Sequence, residues 1–328
     1  MRSSSLHINQ RVRRLGPVAP TPGSAPFPPF PSGPFGPLPA RASFGLTPLP
    51  FPLPTSGPAA RAALLEALVL VGHLALYPTG MLPERAGSED PDRSPASGAG
   101  RPPVLLVHGF SDNRSVFLPL RRALRAAGDR RVETFDYPLS TRDPRLVARR
   151  LGERVEALRT RTGHERVDVV GHSLGGLIAR YHVQCLGGDT RVRTLVTLAT
   201  PHTGTRVIPL MDVHPLVRQV RPDSPLMAEL SAPAPGCRTR CVAFWSAWDA
   251  VMVPASTARL EHPDLHAENI EVTGIGHLAM PVHPAVIGAV RGVLDGGPRS
   301  VSAGPARVDA GAPGPVGNAG AAGADSAA

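Results

Sequence analysis

The chain has 328 residues, a formal net charge of +9, 39 prolines, 34 glycines and only 3 cysteines, which excludes a disulfide framework as what holds it together. With 42% hydrophobic residues it can bury one large core. The charge does not indicate nucleic-acid binding: all 35 cations are arginine, Arg2, Arg11, Arg13, Arg14, Arg41 and Arg61 precede any acidic residue, and aromatics for base stacking make up only 4%.

Residues 1–60 read as a disordered leader. About a third of the positions from Gly16 to Pro58 are proline, and each removes a backbone donor and fixes φ, so neither helix nor sheet ladder propagates. Met1–Gly16 is polar and basic with no apolar stretch of a secretory signal behind it, so a cytoplasmic or membrane-associated location is the expectation. Residues 61–100 read as an apolar helix and a linker. The run Ala62–Tyr77, about 16 residues, is short of the ~20 that cross a bilayer. Glu66 and His73 lie on one face of it, among Leu64, Leu65, Leu68, Val69, Val71 and Leu76. A narrow polar stripe of this kind favours burial against the protein itself, with peripheral membrane contact through residues 62–77, or an anchor, as alternatives.

Residues 101–295 carry the pattern of a folded domain. Val104–Val107 is a short apolar run that predicts a strand buried on both faces, hence a parallel sheet, with His108-Gly109-Phe110 at its carboxyl end. Asn113 is positioned to cap a helix bearing Phe117, Leu120, Leu124 and Ala127, and Arg131–Tyr137 predicts a second strand. From Pro144 a helix places Val147, Leu151, Val155 and Leu158 on one face and ends near Gly163. Arg166–Val170 predicts a strand, Leu174–Val183 a helix and Arg193–Leu198 another strand. Residues 206–235, apolar but broken by prolines, read as a small mobile cap. Strands then resume at Arg240–Trp245 and Ile270–Thr273, and a last helix covers Pro284–Leu294. Strands alternating with helices predict a doubly wound, mostly parallel α/β sheet. The Gly-, Ala- and Pro-rich tail 296–328 reads as disordered.

The organising stretch is Gly171-His172-Ser173-Leu174-Gly175-Gly176. It is a G-x-S-x-G turn between strand and helix, with glycines where a sharp backbone leaves no room for β-carbons. The helix that begins after Ser173 directs free N–H groups and a positive dipole end toward any oxyanion formed there. A serine hydroxyl needs a base, itself oriented by a carboxylate, and this topology orders them Ser, acid, His. His277, in Gly274-Ile275-Gly276-His277, follows a predicted strand directly, and Asp249 follows another. Asp136 and Asp168 precede the serine; Asp212 and Asp223 lie in the insertion, and Asp264 on an irregular loop. His172 should point away from the serine and His108 should pack in its strand–loop corner. His202, His214, His262, His266 and His283 fall in irregular stretches where a solvated ring is the default. Cys185 reads as a buried apolar residue, and Cys237 and Cys241 could close only a short loop and make a poor zinc site.

Together, His108-Gly109-Phe110, the elbow, Thr200-Pro201-His202-Thr203-Gly204-Thr205, the Asp249 loop and Gly-x-Gly-His at 274–277 resemble bacterial lipases and esterases of the α/β-hydrolase fold, triacylglycerol lipases among them. The resemblance covers residues 104–295. It implies Ser173 as nucleophile, His277 as base, Asp249 as orienting acid and an oxyanion hole from the backbone N–H groups of Phe110 and Leu174. No cofactor or metal is implied, and the expected partner is an apolar ester or lipid substrate. Leu210, Leu216, Leu226 and Met227 of the insertion are expected to line the acyl pocket. Thioesterase, amidase or acyltransferase chemistry on the same machinery is the alternative, followed by a non-catalytic binding protein.

Overall fold

In the computed structural model the described residues are 57–82, 100–126, 130–138, 140–206, 214–297 and 306–310. The expectations for residues 1–56 and 311–328 lie outside them.

A single parallel sheet positions everything else. Its strands are β1 (Val104–Val107), β2 (Val132–Phe135), β3 (Val167–His172), β4 (Val192–Leu198), β5 (Arg240–Trp245), β6 (His266–Thr273) and β7 (Ala306–Asp309). Their spatial order is β2-β1-β3-β4-β5-β6-β7, with every neighbouring pair parallel. β1 and β3 are buried along their whole length. Side chains alternate across the sheet with period two: Leu105, Val107, Val169 and Leu195 enter one core, and Val104, Leu106, Val170 and Val196 the other.

Helices cover both faces. α3 (Pro144–Thr162) and α4 (Leu174–Cys185) cover the first, and α2 (Leu118–Arg125) and α7 (Pro284–Leu294) the second. Asp143 caps α3 through Arg145 N, and Gly163 ends it at φ 68°, where a β-carbon would be strained. The expected stripe of Val147, Leu151, Val155 and Leu158 is buried. Asn113 caps a 3₁₀ turn at Arg114–Phe117 that leads into α2.

Three elements depart from the sequence reading. β6 begins at His266, earlier than Ile270, because the polar run His266-Ala267-Glu268-Asn269 pairs with Arg240–Ala243 of β5. β7 forms inside the expected tail, where Ala306–Asp309 meets the open edge of β6 and Arg307 pairs with Glu271. The apolar helix α1 runs from Gly57 to Met81. The preferred reading buried it; instead, among its described side chains, Ala62 alone is fully buried, while Leu64, Leu68, Val71 and Leu74 are exposed. Its polar stripe is the side that docks.

The insertion after β4 folds as α5 (Pro215–Gln219) and α6 (Pro225–Ser231). α6 is held firmly. Arg145 pairs with Glu229, which also accepts from the Tyr181 hydroxyl at 2.6 Å. The buried Arg180 donates to the carbonyl oxygens of His202 (2.8 Å) and Leu230 (2.7 Å). This part of the expected mobile cap is tied to α3 through Arg145 and to α4 through Tyr181 and Arg180.

Candidate active site

Ser173 sits at the carboxyl end of β3, at φ 51° and ψ −122°. A non-glycine residue there stores of the order of 1–3 kcal/mol, so surrounding contacts must impose the conformation. Its N–H donates to Leu198 O (2.8 Å) and its carbonyl oxygen accepts from the Thr200 hydroxyl (3.0 Å). The flanking glycines are required by close approach. A β-carbon on Gly175 would collide with the carbonyl oxygens of Val107 and His108, and one on Gly171 with the backbone of Gly176. The Ser173 side chain makes no capping hydrogen bond to α4, so its hydroxyl has no structural duty at the helix start.

Asp249 and His277 leave β5 and β6 at the same carboxyl end of the sheet and meet. Asp249 Oδ2 lies 2.9 Å from His277 Nδ1, and both residues are buried. The other carboxylate oxygen, Oδ1, accepts from Val251 N and Met252 N, each at 2.9 Å. The Ser246 hydroxyl donates to Ile275 O at 2.7 Å and so pins the acid loop to the histidine loop. Burial works against a charge on Asp249, but His277 and the two amides outweigh it and hold the carboxyl below its ordinary value. Burial likewise disfavours the imidazolium, yet the Asp249 carboxylate wins and raises the His277 pKa above 6.5, with smaller contributions from Glu66 and Asp112.

The His277 ring lies 5.0 Å from that of His172, which precedes Ser173 in the elbow. His172 Nε2 donates to His277 O (3.2 Å), while its Nδ1 faces Asp112 Oδ2 at 3.4 Å. His108 packs in its corner as expected, stacked on Tyr137 at 4.4 Å. His202 does not follow the expectation of a solvated ring: it is buried, with Nε2 2.9 Å from the Thr197 hydroxyl. Burial, aided by the nearby Arg180 charge, drives its pKa well below the ordinary value. Cys185 is exposed rather than buried, and all three cysteines are free thiols.

An apolar cavity opens beside Ser173. Phe110 and Leu174 flank the serine, Leu216, Val217 and Val220 come from α5 and the turn after it, and Val251 and Met252 from the acid loop. Leu216, one of the four residues named from the sequence, lines this cavity. Leu226 and Met227 do not: they sit deeper, in the core cluster with Leu177 and Ile178, because α6 packs on α4 instead of facing the cavity. Leu210 lies outside the described residues. Among the described residues no cluster of His, Cys, Asp or Glu could hold a metal ion.

One contributor escaped the sequence reading. Glu66 of α1 accepts from Leu278 N (2.7 Å) and Ala279 N (2.9 Å), directly after His277, and its side chain fills the space beside Gly276. An acid alone in an apolar helix was the visible signal, but its partners lie more than 200 positions away. Glu66→Ala would leave two amides without their acceptor. The expected cost is about 1–3 kcal/mol of stability, read from urea denaturation; an unchanged midpoint would mean that water replaces the carboxylate.

This topology, with its strained serine elbow and with acid and histidine on the later strand ends, is the α/β-hydrolase fold. The propeptide form of lipase BlEst2 from Bacillus licheniformis superposes with a TM-score of 0.50 at 16% identity, covering 61% of this chain and 51% of that one. Lipase B of Aspergillus fumigatus gives 0.47 at 18% identity, over 53% and 45%. Carboxylesterase CesB of Bacillus subtilis gives 0.39 at 16%, over 72% and 99%. The chain therefore spans less than half of the Aspergillus lipase and about half of the Bacillus propeptide form. In sequence, a family described as a domain of unknown function (DUF7379) matches residues 78–234. That match includes Ser173 and ends before Asp249 and His277.

Proposed function

We propose that the protein is a serine hydrolase of carboxylic esters with apolar acyl groups. In this reading Ser173 Oγ attacks the ester carbonyl while the far nitrogen of His277 takes its proton. The backbone N–H groups of Phe110 and Leu174 stabilise the oxyanion. The proton then passes to the departing alcohol, leaving an acyl-serine that water hydrolyses with the same base. Asp249 holds the imidazole in the required tautomer and balances its transient charge. The observation that carries the reading is the 2.9 Å Asp249–His277 pair, buried at the carboxyl end of the sheet, where the elbow presents Ser173. The apolar wall at Leu216, Val217 and Val220 supports an acyl group as the part bound.

Labelling of the wild-type chain, but not of a Ser173 variant, by a fluorophosphonate probe tests for an activated serine. A series of p-nitrophenyl esters from acetate to palmitate tests the acyl site. kcat/KM is expected to rise up to about 4-fold per added CH₂ until the cavity is full. Leu216→Ala should extend the longest chain accepted while acetate changes little. A flat series in both proteins would remove the cavity from substrate binding.

A further inference from the structure

We propose that α1 docks the protein on an anionic lipid surface. The helix is amphipathic in an inverted sense. Its polar stripe is spent on the domain: Glu66 holds the loop after His277, and the carbonyl oxygen of Tyr77 accepts from Asn113 Nδ2 at 2.9 Å, beside the Phe110 loop. Leu65 and Val69 on the same side pack against the core. The opposite side carries Leu64, Leu68, Val71 and Leu74 at helical spacing, exposed by 61%, 61%, 65% and 66%. Leu70, Met81 and Leu82 extend this bare surface, and no charged residue occurs from Ala67 to Leu82.

By length and composition the segment Ala60–Met81 is apolar enough to cross a membrane, with 6% of its most apolar window buried. A helix bonded to two loops of the domain along one side lies on a bilayer rather than spanning it. Its apolar stripe would sink into the acyl boundary. Charge selects the surface. Arg2, Arg11, Arg13, Arg14, Arg41 and Arg61 precede or begin this helix with no intervening acidic residue. A basic segment joined to an apolar stripe is the pair of signals that holds a protein on anionic lipid. Both loops that α1 holds leave the sheet at the carboxyl end where Ser173 sits, so the docked helix would keep the candidate site beside the lipid.

The test is flotation of the full-length chain with phosphatidylcholine vesicles, with and without phosphatidylglycerol. The wild type is expected to float with the anionic vesicles and to bind weakly to neutral ones. Leu68→Asp combined with Leu74→Asp should bind about tenfold less, with an unchanged thermal midpoint and unchanged turnover of soluble p-nitrophenyl butyrate. A wild type that stays with the bulk solution, or a double variant that floats equally, overturns the proposal. So does a wild-type dimer that becomes a monomer in the double variant without any flotation, since the stripe would then belong to a second copy. Absence of butyrate turnover in both chains would count against the ester-hydrolase reading and leave the flotation result standing.

Discussion

Ser173→Ala is expected to lower kcat for p-nitrophenyl butyrate by about 10⁶-fold, the usual cost of deleting a triad nucleophile. The fold should be indifferent to the change. The serine hydroxyl makes no capping bond to α4, and the contacts that impose φ 51° run through the backbone, from Ser173 N to Leu198 O and from Thr200 Oγ1 to Ser173 O. Alanine meets the same backbone strain with one atom fewer. The measurement is steady-state turnover of protein free of other hydrolases, alongside a thermal melt. Residual activity above a few per cent with an unchanged melt would place the nucleophile elsewhere.

Asp249→Asn is expected to lower kcat by about 10⁴-fold and to move the acid limb of the pH profile. In the wild type Oδ1 receives the amides of Val251 and Met252, leaving Oδ2 for His277 Nδ1. An asparagine that keeps the first two bonds must turn its NH₂ group toward Nδ1. That favours the tautomer whose proton sits on the other nitrogen, the one required as base. The pH effect has a definite sign. A raised His277 pKa favours the protonated ring, and catalysis needs the neutral one, so wild-type kcat/KM is full at high pH and falls as pH drops through a limb above 6.5. Without the Asp249 charge, burial dominates and the limb moves to lower pH. A wild-type limb at or below 6.5 would contradict the electrostatics. A near-normal Asp249→Asn beside a crippled Asp223→Asn or Asp264→Asn would contradict the assignment itself. Neither alternative has a fitting geometry: the Asp223 side chain is largely exposed, and Asp264 accepts from Ala234 N.

How much of this was legible before folding depends on how local the deciding interaction is. β1, β3 and α3 could be read because their burial pattern repeats within a few residues: a continuous apolar run in the strands, and a three-to-four spacing in α3. The elbow could be read because glycine is the residue that fits beside the Val107 and His108 carbonyls. The start of β6 could not, since His266-Ala267-Glu268-Asn269 has no strand pattern of its own and takes its conformation from pairing with β5. Leu226 and Met227 were misplaced for a similar reason. Their apolar character required burial, but Arg180, Tyr181 and Arg145 decided that α6 would be buried against α4 rather than over the cavity. His202 was misread because its backbone is tied to Thr257 and Arg180, neither of which its own stretch of sequence reveals.

The sequence by itself determined the parallel α/β class and the order in which Ser173, Asp249 and His277 appear, since strand periodicity and glycine sterics are properties of short segments. The tertiary structure alone decided that Asp249 and His277 stand 2.9 Å apart, because β5 and β6 must lie side by side to bring their loops together. It also decided which side of α1 faces the domain. Periodicity locates the apolar stripe of a helix but is silent on its partner, and here the Leu278 and Ala279 amides claimed Glu66 and left Leu64, Leu68 and Leu74 facing outward.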